Sequence, residues 1–271
     1  MTAATAPARG PGTAAHAARR AFRALALPAV LIGVWWAVSS ASGSYLVPPP
    51  DVIAAAFAEL WFSERFFADA LPSIARLLGG YALALALGIG AGLALGSAPR
   101  LRALTEPVLE FLRAVPPPVL VPLLILLAGV GNGMKVLVIV SGCVWPILLN
   151  TIEGVRAVDP VLADTCRAFG VRGTRRLRTL VLRSASPQIM AGARQALSIA
   201  IILMVISEMF ASSSGLGFTV VQFQRSFAVP EMWAGIVLLG LIGVVLSLLF
   251  RRVERRVLAW HTGLRAATRG E

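Results

Sequence analysis

Long apolar runs separated by short polar breaks dominate the chain, and their lengths set the first expectation. A helix needs about 20 apolar residues to cross the ~30 Å hydrocarbon layer of a bilayer. Six runs approach that length: 24–42, 75–97, 105–128, 135–152, 189–211 and 232–250. The run 105–128 is the least regular. It holds Glu106, Glu110, Arg113 and the triplet Pro116-Pro117-Pro118, and the prolines set its first part off as a separate short helix. Residues 51–72 are too polar to span. Val52, Ala56, Leu60 and Phe67, spaced among acids, predict an amphipathic helix on the outer surface, with Pro48-Pro49-Pro50 ending the first span and Asp51 as its cap. The pattern therefore predicts an all-α, polytopic membrane protein with six transmembrane helices and an outer amphipathic helix. A disordered Ala/Pro/Gly/Arg tail (1–23) precedes the spanning domain (24–250), and a basic tail (251–271) follows it.

Composition agrees with lipid as the solvent. Of 271 residues, 57% are hydrophobic and 14% charged, against about a quarter charged for a soluble domain, and the mean hydropathy is +0.79. The formal charge of +12 has two physical readings, nucleic acid and anionic lipid. The position of the arginines excludes the first, because no soluble face exists to carry a basic groove. Arg9, Arg19, Arg20 and Arg23 lie in the N-terminal tail. Arg100 and Arg102 follow the second run. Arg156, Arg167, Arg172, Arg175, Arg176, Arg178 and Arg183 occupy the loop 153–188, and Arg251, Arg252, Arg255, Arg256, Arg265 and Arg269 the C-terminal tail. With six alternating spans, all four segments fall on one side, which the positive-inside rule makes cytoplasmic; both termini are expected there, in a bacterial inner membrane. Asp51, Glu59, Glu64, Asp69 and Glu231 fall on the other side. The pair Arg19-Arg20 resembles a twin-arginine export signal, but further spans follow it, which favours a cytoplasmic anchor.

Candidate chemistry is sparse. Cys143 in an apolar run and Cys166 in a basic loop are expected at different depths, as free thiols. His16 and His261 sit in opposite tails, and no His/Cys/Asp/Glu group has metal-ligand spacing. The single lysine, Lys135, lies in Gly131-Asn132-Gly133-Met134-Lys135-Val136, where the glycine spacing of a phosphate-binding loop fails and Val136 cannot hold magnesium. No nucleophile elbow or His/Asp pair is present, so no catalytic residue is expected. Gly88, Gly92 and Gly96, with Gly79, Gly80 and Gly90 nearby, form a small-xxx-small series suited to close helix packing in lipid. Glu208, near the outer end of the fifth run, and Arg113 are candidate pathway or gate residues; each reads more readily as a satisfied interior or interfacial charge. The turn Ser212-Ser213-Ser214-Gly215-Leu216-Gly217, with Gln222, Gln224 and Arg225, is either an outer docking site or an ordinary loop.

The loop 153–188 carries the most specific pattern. Asp159-Pro160 caps and starts a helix, Leu162, Cys166 and Phe169 fall on one face at i, i+4 and i+7, and Gly170 stops it. A second helix is expected from Thr174 to about Arg183, ending before Ser184-Ala185-Ser186-Pro187. An apolar face on a cytoplasmic loop invites a partner groove; from the residues alone, a basic hairpin facing lipid headgroups with no partner is the other reading. The run Asp164-Thr165-Cys166-Arg167-Ala168-Phe169-Gly170, followed by Pro187 and Ile189, resembles the cytoplasmic signature of bacterial ABC-importer permeases, those for nitrate, sulfonate and taurine above all. Leu46-Val47-Pro48-Pro49-Pro50, Ser73 to Tyr81, Arg113 to Pro117, Pro146 to Thr151 and Ser207-Glu208-Met209 add to the likeness. Asp164 stands where the family has Glu, Thr165-Cys166 where it has Ala-Ala, and Arg183 where a Pro is usual.

The resemblance implies that Asp164, Phe169 and Gly170, with Leu162 and Cys166, form a coupling helix seated on a separate ATPase, which would carry the ATP and magnesium. It also implies a homodimer around one path and an extracytoplasmic solute-binding protein. The cargo would be a small anion such as a sulfonate, taurine or nitrate. A transporter or channel working alone is the alternative; it requires intramembrane ions or paired half-helices at the midplane, and neither an acid pair nor an inverted repeat is evident.

Overall fold

The computed structural model describes residues 12–210 and 212–260, with side chains from 26 onward. Among these residues the chain is helical, with no strand. The elements are α1 (Gly12–Ser42), α2 (Pro50–Trp61), α3 (Leu71–Ser97, preceded by the π-turn Phe66–Ala70), α4 (Pro99–Ala114), α5 (Val121–Ala128, preceded by the 3₁₀ turn Pro117–Leu120) and α6 (Asn132–Arg156). They continue as α7 (Pro160–Ala168), α8 (Gly173–Arg176), α9 (Leu182–Phe210, joined to α8 by the π-turn Leu177–Val181), α10 (Leu216–Arg225) and α11 (Val229–Val257).

Four of the expected spans appear as continuous apolar helices: Phe66–Ser97, Asn132–Arg156, Gly173–Phe210 and Val229–Val257. The other two depart from simple spans. In the first, the apolar part Ala26–Ser42 is about 25 Å of helix at 1.5 Å per residue, slightly short of the hydrocarbon layer. The helix itself begins at Gly12, inside the segment expected as a disordered tail. The third run is broken: Pro99–Ala114 and Pro117–Ala128 meet at 85°. Val115 is extended, as a residue before proline tends to be, and Pro116 cannot supply the amide that would continue α4. No residue of α4 is buried. Among the described residues there are thus four apolar spans, five if the bent pair is one.

The core is a three-helix sandwich with α6 between α3 and α9. Its α3–α6 seam explains the glycine series. A Cβ on Gly88 would lie 2.8 Å from the Ile147 side chain, one on Gly92 2.5 Å from Thr151, and one on Gly96 2.7 Å from Val155. Real side chains do not approach so closely, so these positions hold the backbones together as small-residue interfaces do in lipid. Gly80 extends the seam against Ile139 at 2.8 Å, with Ala84 and Cys143 buried between the two glycine contacts. Gly79 and Gly90, by contrast, have nothing within 4 Å and stand outside the seam. On the opposite face of α6, Gly154 meets Ala185 and Gly192 meets Asn150.

Two expected boundaries move. The second helix of the loop does not end near Arg183. It runs on from Gly173 to Phe210 with Pro187 inside it. Ala185 is small because it packs on Gly154, not because the chain turns there. The outer helix ends at Trp61, and a new helix starts at Phe66 and enters the membrane. Asp51 is not its cap: Pro49 holds that position, and the Asp51 carboxylate accepts a 3.0 Å bond from Trp36 Nε1. Trp61, buried and donating to the Ala234 carbonyl, fixes α2 on α11.

Candidate functional site

The hairpin between α6 and α9 is built by local chemistry. The Asp159 carboxylate accepts the Val161 amide at 2.7 Å, and Pro160 opens α7. At the other end Gly170 has φ +67, its amide bonds the Arg167 carbonyl at 3.1 Å, and the Val171 amide bonds the Cys166 carbonyl at 2.8 Å. These two bonds form a Schellman motif, which satisfies the last carbonyls without tertiary help. The helix therefore needs no support from the bundle, and it receives little. No residue from 156 to 176 is buried, and none packs in a core cluster.

Its apolar side chains stay in the open. Phe169 is 80% exposed, Val161 70% and Leu162 50%, while Cys166 is half-buried against the motif. Asp164 is exposed and paired with Arg167 one turn on. Leu162, Asp164, Cys166, Phe169 and Gly170 are thus collected on one projecting element of about ten residues. Val161 belongs to the same exposed apolar set, and its place next to Pro160 was the signal for it.

A second cluster closes the other end of the sandwich. Glu208 is fully buried and receives four contacts: Arg76 Nη1 at 2.6 Å, the Ser73 hydroxyl at 2.7 and 2.9 Å, and the Gly217 amide at 3.0 Å. The amides at the start of α10 are taken up in order. Gly215 donates to Asp69 Oδ1 at 3.0 Å, Leu216 to Ser73 Oγ at 2.9 Å and Gly217 to Glu208 Oε2. Two carboxylates at a helix N-terminus also complement its dipole. A Cβ on Gly215 would fall 2.5 Å from the Glu208 carboxylate carbon, and one on Gly217 2.9 Å from its Cβ. Arg76 reaches Asn132 at 2.8 Å, and buried Lys135 reaches Ser212 at 2.6 Å.

The turn 212–217 is therefore a clasp joining α3, α6, α9 and α10, more than an ordinary loop. Arg113 is not part of it; it is exposed on α4 and paired with Glu110 at 3.0 Å. The sequence reading did not bring Asp69, Ser73, Arg76, Asn132 and Lys135 together with Glu208. The available signal was one cation, Arg76, and one anion, Glu208, each alone in an apolar run.

Several membrane-length apolar helices, a projecting capped hairpin and a pinned outer turn are the features to set beside known proteins. Residues 84–259 match the family "Binding-protein-dependent transport system inner membrane component". The chain belongs to that family. It is the membrane-spanning permease subunit of an ABC importer, placed in the inner membrane by several apolar helices. The permease is 31% identical over 241 residues to the putative aliphatic sulfonates transport permease protein SsuC of Bacillus subtilis (strain 168), covering 88% of this chain and 87% of that protein. It is 29% identical over 240 residues to the taurine transport system permease protein TauC of Escherichia coli (strain K12), covering 86% and 87%. The bicarbonate transport system permease protein CmpB of Synechococcus elongatus is 25% identical, covering 82% and 84%. In fold, the permease is similar to a chain of the MetNI methionine ABC transporter solved in inward-facing conformations. The TM-score is 0.60 at 18% identity, over 70% of this chain and 94% of that one.

Proposed function

We propose that the permease carries a small anion of the sulfonate class, taurine and inorganic anions such as nitrate included, across the inner membrane. In this reading a separate ATPase drives transport through α7. The observation that carries the coupling role is the hairpin itself: a helix capped at both ends, with Val161, Leu162 and Phe169 exposed, between the two helices that build the core. A self-sufficient helix with an unpacked apolar face suits a groove on a soluble partner. α7 connects to α6 and, through Gly173–Phe210, directly to α9. A push on α7 would then reach both core helices through linkers of only a few residues, 157–159 and 169–172.

The names of the relatives support the cargo class: two carry sulfonated compounds and one carries bicarbonate. The remaining parts of the reading follow from it. The arginine-rich segments support a cytoplasmic position for both termini and α7. ATP and magnesium sit on the ATPase and not on this chain. Two copies enclose the path, and a solute-binding protein delivers cargo to the outer side. Asp164, with its partner Arg167, would set the register of α7 in the groove, and Phe169 would be its apolar anchor. Glu208 acts in this scheme as a fixed strut of the outer end and Arg113 as a surface charge.

The test is to purify the permease with its companions, reconstitute the assembly in vesicles, and measure ATP hydrolysis as sulfonates, taurine and nitrate are supplied with the binding protein. Stimulation by one of these anions supports the reading. Stimulation only by solutes that carry no sulfonate or comparable anionic group refutes the cargo class.

A further inference from the structure

The end of α11 forms a cleft with α9 of ≈ 570 Å³, lined by Arg194, Leu248, Arg251, Arg252, Glu254 and Arg255. Four guanidinium groups thus face a single carboxylate. That carboxylate is already engaged, because Arg194 of α9 donates to Glu254 of α11. The cleft wall keeps an excess of positive charge contributed by three arginines within two turns of one helix. Closely spaced like charges on a helix repel unless an anion sits among them.

The same face of α11 continues into the membrane as an apolar stripe. Leu241, Val244, Val245 and Leu248 are 48%, 56%, 53% and 54% exposed, at i, i+3, i+4 and i+7. The series then passes at the same spacing into Arg251, Arg252 and Arg255. Leu248 belongs to both stripe and cleft. A row of apolar side chains leading lengthwise into a basic cleft is complementary to one kind of molecule, an amphiphile with an anionic head. Arginine forks suit phosphate oxygens in particular.

We propose that this cleft binds the phosphate headgroup of an anionic phospholipid, with an acyl chain lying along Leu241, Val244, Val245 and Leu248. The site is separate from the hairpin and the outer clasp. It requires only that the chain spans a membrane, so it stands or falls independently of the cargo and of the ATPase. Beyond the Arg194–Glu254 pair, α11 approaches α9 at the packing of Ile201 on Gly243, 3.6 Å from an added Cβ. A lipid head in the cleft would fasten the basic end of α11 beside this seam.

The test uses the full chain in neutral detergent and native mass spectrometry, with phosphatidylglycerol or phosphatidylcholine of identical acyl chains as probes. A surface arginine strengthens anionic-lipid binding about fivefold. The native chain should therefore retain phosphatidylglycerol at least tenfold better than phosphatidylcholine. Arg251→Gln/Arg252→Gln/Arg255→Gln should bring the two lipids to parity, whereas Arg100→Gln/Arg172→Gln, at other basic segments, should leave the preference intact. A photoactivatable phosphatidylglycerol should label 244–255 in the unaltered chain, which keeps the test decisive should the triple variant fold poorly. No headgroup preference in the native chain, a preference that survives the triple variant, or labelling confined to other helices would overturn the site. Displacement of the lipid by millimolar inorganic phosphate alone would mark a free-anion site and overturn the lipid assignment.

Discussion

Replacing Glu208 by Gln tests the outer clasp at its centre. The carboxylate has no exposure and holds Arg76 at 2.6 Å, Ser73 and the Gly217 amide. The amide side chain keeps the shape and can still accept from Gly217, but it removes the negative charge opposite Arg76, itself 9% exposed. Removing one member of a buried pair leaves the other charge uncompensated and costs about 3–5 kcal/mol. For a chain of this size each kcal/mol lowers the melting temperature by about 2–4 °C, so a drop on the order of 10 °C is expected. Arg76→Met/Glu208→Met removes both charges, and should recover most of that loss because an apolar replacement of the whole pair is often near neutral.

Cys143 supplies the assay. It is fully buried and unreactive until the bundle opens, so a thiol-reactive fluorophore reports unfolding in detergent once the more exposed Cys166 is replaced by Ser. Single and double variants that melt within about 2 °C of the parent would show that the clasp bears no load. Equal losses in the single and double variants would show that the site needs the charges themselves, contrary to the pairing argument.

Other consequences are more local. Gly92→Leu should prevent a stable α3–α6 seam and yield aggregated protein by size-exclusion chromatography, while Gly90→Leu, with nothing within 4 Å, should elute as the parent does. Asp159→Ala removes the cap of α7 and should weaken that helix by about 1 kcal/mol, seen as faster amide hydrogen exchange over 161–168 with no change in the core. Gly217→Ala should destabilise the outer end alone, since its methyl would meet the Val205 carbonyl at 2.5 Å, and should raise exchange in α10 before α6.

Local chemistry was legible in the sequence, and long-range chemistry was not. Asp159, Pro160 and Gly170 fix the start and stop of α7 through bonds within the hairpin, so the sequence around them is sufficient. The proline break at 116 was readable for the same reason. The four-residue glycine spacing gave the packed face of α3, but separating Gly80 from Gly79 required knowing where Ile139 lies. Ser184-Ala185-Ser186-Pro187 reads as a turn by composition. In the fold Ala185 is a packing position, and α9 accommodates Pro187, as membrane helices often do when neighbours take over the freed backbone groups. The clasp joins Ser73 and Arg76 to Glu208 across more than 130 positions, and no periodicity carries that pairing. Asp69 made the start of α3 look too polar for a membrane helix, although its carboxylate serves the Gly215 amide.

The central claim is that the permease is moved through α7 by work done on another polypeptide. Its most direct measurement is the amount of ATPase that co-purifies with the tagged permease when Phe169 is changed to Asp. The account predicts near-complete loss of the ATPase with membrane insertion and the melting profile unaltered, since Phe169 is 80% exposed and supports no core cluster. Undiminished co-purification of the Phe169→Asp chain, at the stoichiometry of the unaltered protein, would contradict it.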